Sequence, residues 1–172
     1  MHTLAIVLIP FDSNHAKMRP LAARDAAAAA RIDTLLYRYE QREDGRVWGV
    51  DVARGFKFDW WAVGGRWKGW GRDIRTLMKK QGLRRLPRQI PRCLERNAVR
   101  TEELARVRLT SFDLLPIAVI TPHGEWEECK GNWGWGKSSV RERKLKARWV
   151  RRFRALMRAY PSCLAVAVDY HW

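Results

Sequence analysis

Residues 3 to 9 read Thr3-Leu-Ala-Ile-Val-Leu-Ile9, a continuous apolar run of strand length that ends at Pro10. A run of this kind is typical of a central strand that is buried on both faces of a sheet. A second apolar run, Cys163–Val168, lies near the other end of the sequence. We therefore expect these two runs to be neighbouring strands at the centre of a single sheet.

The segments between these two strands alternate in type. Apolar residues at helical spacing predict one helix from Pro20 to about Gln41 and another from about 139 to Tyr160. Alternating or continuous apolar character predicts four further strands, which lie at 46–52, 56–61, 114–121 and 125–129. The last two of these strands surround a turn and are expected to form a β-hairpin.

Residues 72–108 do not follow these patterns. A short basic helix is predicted at 72–81, Pro87 and Pro91 interrupt the residues after it, and arginines recur without an apolar repeat. We interpret 72–108 as a basic, partly helical insertion on the surface of a single domain that spans 1–172. Without this insertion and one strand, the element order is β-α-β-β-α-β. The predicted fold class is therefore α+β, with a ferredoxin-like βαββαβ-type sheet and two packing helices.

The composition suits a globular domain. A chain of 172 residues that is 47% hydrophobic buries a substantial core, and no run of about 18 apolar residues predicts a membrane span. The first residues lack the basic leader of a signal peptide. Cys93, Cys129 and Cys163 are too far apart for a disulfide framework or a zinc site. We expect a cytoplasmic protein that uses no membrane, metal or cofactor.

The charge is strongly positive and uneven. The formal net charge is +16; residues 66–108 hold fourteen Lys and Arg against four acids, and residues 137–158 hold ten against one. Two basic blocks predict an anionic partner, which is nucleic acid, a nucleotide or an acidic protein surface. The alternative is an arginine-rich surface without a specific partner. The candidate contact residues are Arg84, Arg85, Arg88 and Arg92 in the first block and Arg143, Lys144, Lys146, Arg151 and Arg152 in the second.

A tryptophan-rich stretch, Phe58-Asp-Trp-Trp-Ala-Val-Gly-Gly-Arg-Trp-Lys-Gly-Trp70, holds four of the ten tryptophans. Its paired glycines predict a turn whose N–H groups approach a phosphate, while the Arg66 guanidinium pairs with that phosphate. The tryptophans would supply stacking faces for a base. The alternative is that they build the core and that Arg66 pairs with Asp59 or Asp169. The candidate ligand-binding residues are Trp60, Trp61, Gly64, Gly65, Arg66, Trp67 and, from a second glycine–tryptophan loop, Trp135.

Asp169 and His171 lie two residues apart in the last strand segment, so their side chains are expected on the same face. With a glutamate from 125–128 nearby, this pair is a candidate catalytic acid–base site. The alternative is structural, with Asp169 holding Arg66 and His171 at the strand end. We expect no metal here, because no second histidine lies in a matching motif. The chain also lacks a complete phosphate-binding P-loop pattern.

Several of these motifs occur together in a known group of proteins. Asp59-Trp-Trp-Ala-Val-Gly-Gly-Arg-Trp67 resembles the D-W-[WY]-x-[IV]-G-G-R-W motif of a family of small uncharacterised proteins that are common in bacteriophages and prophages. Val168-Asp-Tyr-His171 is similar to the V-D-x-H strand of that family. The resemblance implies a phage or mobile-element setting, in which the protein would act in the cytoplasm of the host cell.

From this setting the resemblance implies a role against host defence, exerted by binding rather than by catalysis. In its most concrete form, the protein inhibits a CRISPR-type immune complex and engages that complex or its nucleic acid through the basic blocks. The alternative function is nucleotide binding or nucleotide processing, which would use the Gly-Gly-Arg-Trp pocket together with Asp169 and His171.

Overall fold

The computed structural model describes residues 2–11, 21–39, 60–84, 86, 90–109, 114–130 and 139–171. These residues form a mixed six-stranded sheet and four α-helices, which confirms the predicted α+β class. In chain order the elements are β1 His2–Pro10, α1 Leu21–Leu36, β2 Trp60–Val63, α2 Trp70–Lys80, β3 Ala98–Arg100, α3 Thr101–Leu104, β4 Ala118–Ile120, β5 Trp126–Glu128, α4 Val140–Ala159 and β6 Cys163–His171. Short 3-10 helices lie at Tyr37–Tyr39, Gly65–Trp67 and Arg92–Leu94.

The two apolar runs are the centre of the sheet, as predicted. The strand order is β2-β6-β1-β4-β5, and β3 also pairs with β6. β1 and β6 are antiparallel along their whole length, from His2 opposite His171 to Pro10 opposite Cys163. Nearly all residues of both strands are buried, because helices cover both faces. The predicted hairpin is confirmed by the antiparallel pairing of β4 with β5.

The strand order is not a simple βαββαβ order, and the ferredoxin-like arrangement is not confirmed. β4 lies beside β1 and runs parallel to it, while β5 occupies the outer edge. On the other side, β2 pairs with residues 168–171 of β6, and β3 pairs with residues 164–166. A nine-residue strand is about 30 Å long, so β6 accommodates two short strands in series along one edge. Sequence periodicity locates strands but contains no information about this sharing.

Part of the segment 72–108 is core rather than surface, which corrects the prediction of a surface insertion. The predicted helix is present as α2, which ends near Gly82. Ala98, Val99 and Leu104, however, are almost fully buried, because β3 pairs with the sheet. Arg100 is also buried, and its guanidinium is neutralised by an ion pair with Glu102. The charged residues around this short strand masked its core character in the sequence.

The two faces of the sheet carry different helices. Leu4, Ile6 and Leu8 point into a core that is shared with α2, α3 and α4. Ala5, Val7 and Ile9 point into the opposite core, which is covered by α1 and by the 3-10 helix Arg92–Leu94. A capping box between Ser139 and Glu142 starts α4. The buried side of α4 consists of Trp149, Phe153, Leu156 and Met157.

The three cysteines differ in their exposure to solvent. Cys93 is exposed, whereas Cys129 and Cys163 are buried. Burial raises the pKa of the Cys163 thiol to about 11, so this thiol is a neutral core group at physiological pH. None of the helices in the described part of the chain is long and apolar enough to cross a membrane.

Thr101 joins β3 and α3 to the start of β6, and we expect Thr101→Val to lower the free energy of unfolding by about 1–3 kcal/mol. The side chain is fully buried. Its hydroxyl donates to the carbonyl oxygen of Tyr160 at 2.5 Å and lies 3.0 Å from that of Cys163, and it accepts a hydrogen bond of 3.3 Å from the Cys163 N–H. Valine keeps the volume but leaves these groups unpaired. Urea unfolding measures the loss.

Thr76→Val is the matched control, because the Thr76 hydroxyl is exposed and only donates to Arg72 O within the same helix. We expect a change of less than about 0.5 kcal/mol for this surface variant. Equal losses for the two variants would contradict the importance of the buried hydrogen bonds.

Candidate functional site

The Gly-Gly-Arg turn wraps around the carboxylate of Asp169. Gly64 follows β2, and its N–H donates to Ala167 O at 2.9 Å. Gly65 then begins the 3-10 helix, and the N–H of Arg66 donates to Asp169 Oδ2 at 2.9 Å. Asp169 is 1% exposed, so the turn is held against a buried charge on the central strand β6.

Glycine is required at both positions by the backbone and by space. Gly64 and Gly65 have positive φ angles of 79° and 45°, which side chains rarely adopt. A Cβ on Gly65 would lie 2.3 Å from the Cβ and Oδ2 of Asp169, and one on Gly64 would lie 2.7 Å from the Asn97 amide nitrogen. The predicted close backbone approach is therefore real, and its partners are protein side chains.

Asn97 is a second anchor of this region that the sequence reasoning missed. Its side-chain Oδ1 accepts a hydrogen bond of 2.8 Å from the Gly69 N–H, and its carbonyl oxygen accepts one of 2.8 Å from the Ala167 N–H. Asn97 therefore ties the end of the Gly-Gly-Arg turn to β6. An isolated asparagine within an arginine-rich segment carries no sequence signal for this role.

The position of Asp169 weighs against a phosphate at the turn. A phosphate at the turn would have to accept a hydrogen bond from the N–H of Arg66. That N–H already donates to Asp169. The buried carboxylate would also repel the phosphate at short range. The Arg66 side chain is exposed, and it forms no ion pair with a carboxylate in the described part of the chain. The expected link between Arg66 and Asp169 thus exists, but it runs through the backbone N–H rather than the guanidinium.

Trp61 and Trp67 lie on opposite faces of the sheet, so these two tryptophans do not form two walls of one pocket. Trp61 is half-buried against the core that α1 covers, whereas Trp67 packs against the core on the opposite face of the sheet. Trp70 is 1% exposed, and its indole N–H donates to Leu114 O at 3.0 Å. These placements favour the core interpretation for the three residues. Trp135 and the side chain of Trp60 lie outside the described residues.

His2, Asp169 and His171 lie together at one end of the central strand pair. His2 Nδ1 is 3.1 Å from Asp169 Oδ1 and 3.2 Å from Oδ2. His2 is the cross-strand partner of His171, and the centroids of the two rings are 5.1 Å apart with an angle of 61° between the planes. The His2 side chain is 28% exposed and His171 is half-buried, so solvent reaches the cluster.

The sequence reasoning found Asp169 and His171 but missed His2. The sequence signal that points to His2 is the predicted pairing of the first and last strands. That pairing places some residue of β1 beside Asp169, but only the register identifies it as His2. No three His, Cys, Asp or Glu side chains in the described part of the chain are arranged to hold a metal ion. Two imidazoles beside a carboxylate are side chains that can accept and donate protons.

The basic residues of α4 form an exposed stripe. Lys144, Arg148, Arg151 and Arg158, which we call the basic face, are all exposed and recur at spacings that place them on one side of a helix. No described carboxylate forms an ion pair with any of these four. A shallow groove of about 750 Å³ runs along the first half of this face and is lined by Val140, Arg141, Lys144, Leu145, Ala147, Arg148 and Arg151.

The other predicted contact residues are placed differently. Arg152 forms an ion pair with Glu127, and its pKa is raised mainly by that hydrogen bond. Arg143 is exposed and Lys146 is half-buried. Arg84 and Arg92 are exposed as well, but Arg92 belongs to the 3-10 helix that packs with α1 on the far side of the sheet. The structure therefore does not unite Arg92 with the basic face. Arg85 and Arg88 lie outside the described residues.

No protein-family model, curated protein or solved structure matches the chain. The resemblance of its motifs to phage proteins stays a prediction.

Proposed function

We propose that the protein binds nucleic acid through the basic face of α4. The observation that carries this proposal is that Lys144, Arg148, Arg151 and Arg158 are exposed on one side of a single helix without carboxylate partners in the described residues. The same helix holds nine basic residues and one acidic residue. Between Lys144 and Arg158 the cations extend over about 21 Å along the helix. A linear polyanion matches such a row.

Repulsion among the cations of the basic face favours the state in which phosphates are bound to it. Like charges three and four residues apart repel one another and destabilise the helix by about 0.2–0.5 kcal/mol per pair. Phosphates relieve this repulsion, and the release of their condensed counterions drives binding. Since backbone phosphates are the same in every sequence, we expect little sequence preference.

The salt dependence of binding tests this proposal directly. We expect a fluorescent 12-nucleotide single strand to bind with an affinity that falls with salt. The slope of log K against log salt would be about −3, since each contacted phosphate of a single strand contributes about −0.7. Fluorescence anisotropy at several NaCl concentrations measures this slope. Two unrelated base sequences should give affinities within a few-fold of each other. Undetectable binding, or binding that salt does not weaken, would exclude the proposal.

We further propose that this binding acts on a CRISPR-type immune complex of a host cell. The support is the resemblance of Asp59–Trp67 and Val168–His171 to phage and prophage proteins. Guide RNA in such a complex offers the kind of polyanion that the basic face recognises. Co-purification with an immune complex, and inhibition of its target cleavage by the added protein, would test this role. A protein that neither binds the complex nor slows cleavage lacks it.

A further inference from the structure

The cluster of His2, Asp169 and His171 lies at the end of the sheet that the first half of α4 approaches. α4 ends at Ala159, and β6 starts at Cys163 opposite Pro10 of β1. Further back along the helix, Trp149 Nε1 donates to Pro116 O at 2.6 Å. The next residue, Ile117, donates its N–H to Leu4 O, and Leu4 is the partner of Asp169.

These contacts show that α4 runs back over the sheet, antiparallel to β6. Its C-terminal end lies beside Pro10, and Trp149 in its middle lies close to Leu4. The residues that precede Trp149 therefore extend toward His2 and beyond. Those residues include Lys144 and Arg148 of the basic face, so a polyanion bound to the first half of α4 lies at the same end of the sheet as the two histidines.

The geometry of the cluster suits paired proton transfer. Asp169 contacts Nδ1 of His2, and this contact fixes the ring so that Nε2 points away from the carboxylate. His171 is the direct cross-strand neighbour on the same face. Both rings are at least partly exposed, whereas Asp169 is almost fully buried. Two adjacent imidazoles, one of them oriented by a carboxylate, can accept and donate protons in one reaction.

We propose that His2 and His171 form a metal-independent ribonuclease site that cleaves single-stranded RNA held by the basic face. This activity rests on the nucleic-acid binding proposed above. The substrate is RNA because its 2′-hydroxyl supplies an internal nucleophile, so that the reaction needs no metal-activated water. The strand is single because attack by that hydroxyl requires a backbone free to align it with the leaving oxygen.

The reaction balances without a further reactant. His2 removes the proton of the 2′-hydroxyl, and the oxygen forms a bond to the adjacent phosphorus. The bond between phosphorus and the 5′-oxygen breaks, and His171 donates its proton to that oxygen. The products are a 2′,3′-cyclic phosphate and a 5′-hydroxyl end. Asp169 acts as a positioning residue through His2, whose Nδ1 it contacts.

The test measures binding and cleavage separately, with a 12-nucleotide RNA and its 2′-O-methyl copy in EDTA. We expect both strands to bind equally and only the RNA to be cleaved, with a 2′,3′-cyclic phosphate identified by mass spectrometry. His2→Ala and His171→Ala should each slow cleavage by about 100-fold or more. Their affinity for the 2′-O-methyl strand should not change. Added imidazole should restore part of the lost rate.

A double-variant comparison tests Asp169 as a positioning residue. Asp169→Asn retains an acceptor for the Arg66 N–H but loses the carboxylate that orients His2. It should slow cleavage in the otherwise native protein and have little further effect when combined with His2→Ala, because residues that act through one another are not additive. Additive losses would assign Asp169 a separate structural role and remove it from the site.

The possible outcomes separate the two proposals. Binding without cleavage overturns the ribonuclease site and leaves the nucleic-acid binding intact, whereas absence of binding overturns both. Cleavage that EDTA abolishes, cleavage of the 2′-O-methyl strand, or undiminished cleavage by the two histidine variants also overturns the site. If a histidine variant fails to fold, the EDTA result and the chemical identity of the product from the native protein still decide whether the protein is a metal-independent ribonuclease.

Discussion

We expect Gly65→Ala to lower the free energy of unfolding by about 2–5 kcal/mol, from the left-handed backbone and the forced overlap together. The φ angle of Gly65 is +45°, and the added methyl would lie 2.3 Å from the Cβ and Oδ2 of Asp169. Asp169 cannot move away freely, because it is buried on β6 and contacts both His2 and Arg66. At about 2–4 °C per kcal/mol for a chain of this length, the melting temperature should fall by about 4–20 °C.

Gly82→Ala is the matched control for this prediction. Gly82 also has a positive φ angle, of 68°, but no atom lies within 4 Å of the position that its Cβ would take. This variant loses only the backbone contribution, about 1 kcal/mol. Urea unfolding of both variants separates the cost of the left-handed backbone from the cost of the overlap with Asp169. Similar losses at Gly65 and Gly82 would show that the close approach of Asp169 adds nothing.

We expect the triple variant Lys144→Gln, Arg148→Gln, Arg151→Gln to bind single-stranded RNA about 100-fold more weakly at 0.1 M salt. This value follows from the loss of three phosphate contacts, each with a salt exponent of about 0.7. The slope of log K against log salt should become shallower by about 2. Glutamine preserves the helix propensity of these side chains and removes their charge, so the melting temperature should stay the same or rise slightly as repulsion is removed.

Two adjacent arginines provide a sharper control. Arg151 is exposed on the basic face, whereas Arg152 is paired with Glu127. Arg151→Gln should weaken binding by about five-fold at 0.1 M salt, while Arg152→Gln should leave the affinity nearly unchanged because its charge is already compensated. Arg92→Gln, on the far side of the sheet, should also have little effect. Equal losses at Arg151, Arg152 and Arg92 would indicate attraction by net charge alone and no defined binding face.

Local pattern was enough to predict several elements. The apolar run at 3–9 and its counterpart at 163–168 identify the central strand pair, because strands buried on both faces have few polar residues. The spacing of Trp149, Phe153 and Leu156 identifies the buried side of α4. The sequence pattern did not predict β3, because a strand of three residues that is flanked by arginines and glutamates is too short to show an alternation.

The candidate sites divide in the same way. The sequence by itself located a basic block on the helix that became α4, but of its five candidate residues only Lys144 and Arg151 lie on the basic face. It also placed Asp169 and His171 on one face of a strand. Only the tertiary structure decided that His2 contacts Asp169, that Asp169 and not a phosphate receives the Arg66 N–H, and that Arg152 is already paired. These contacts join residues that are far apart in the chain, and they follow from strand register and helix packing, which depend on the whole fold.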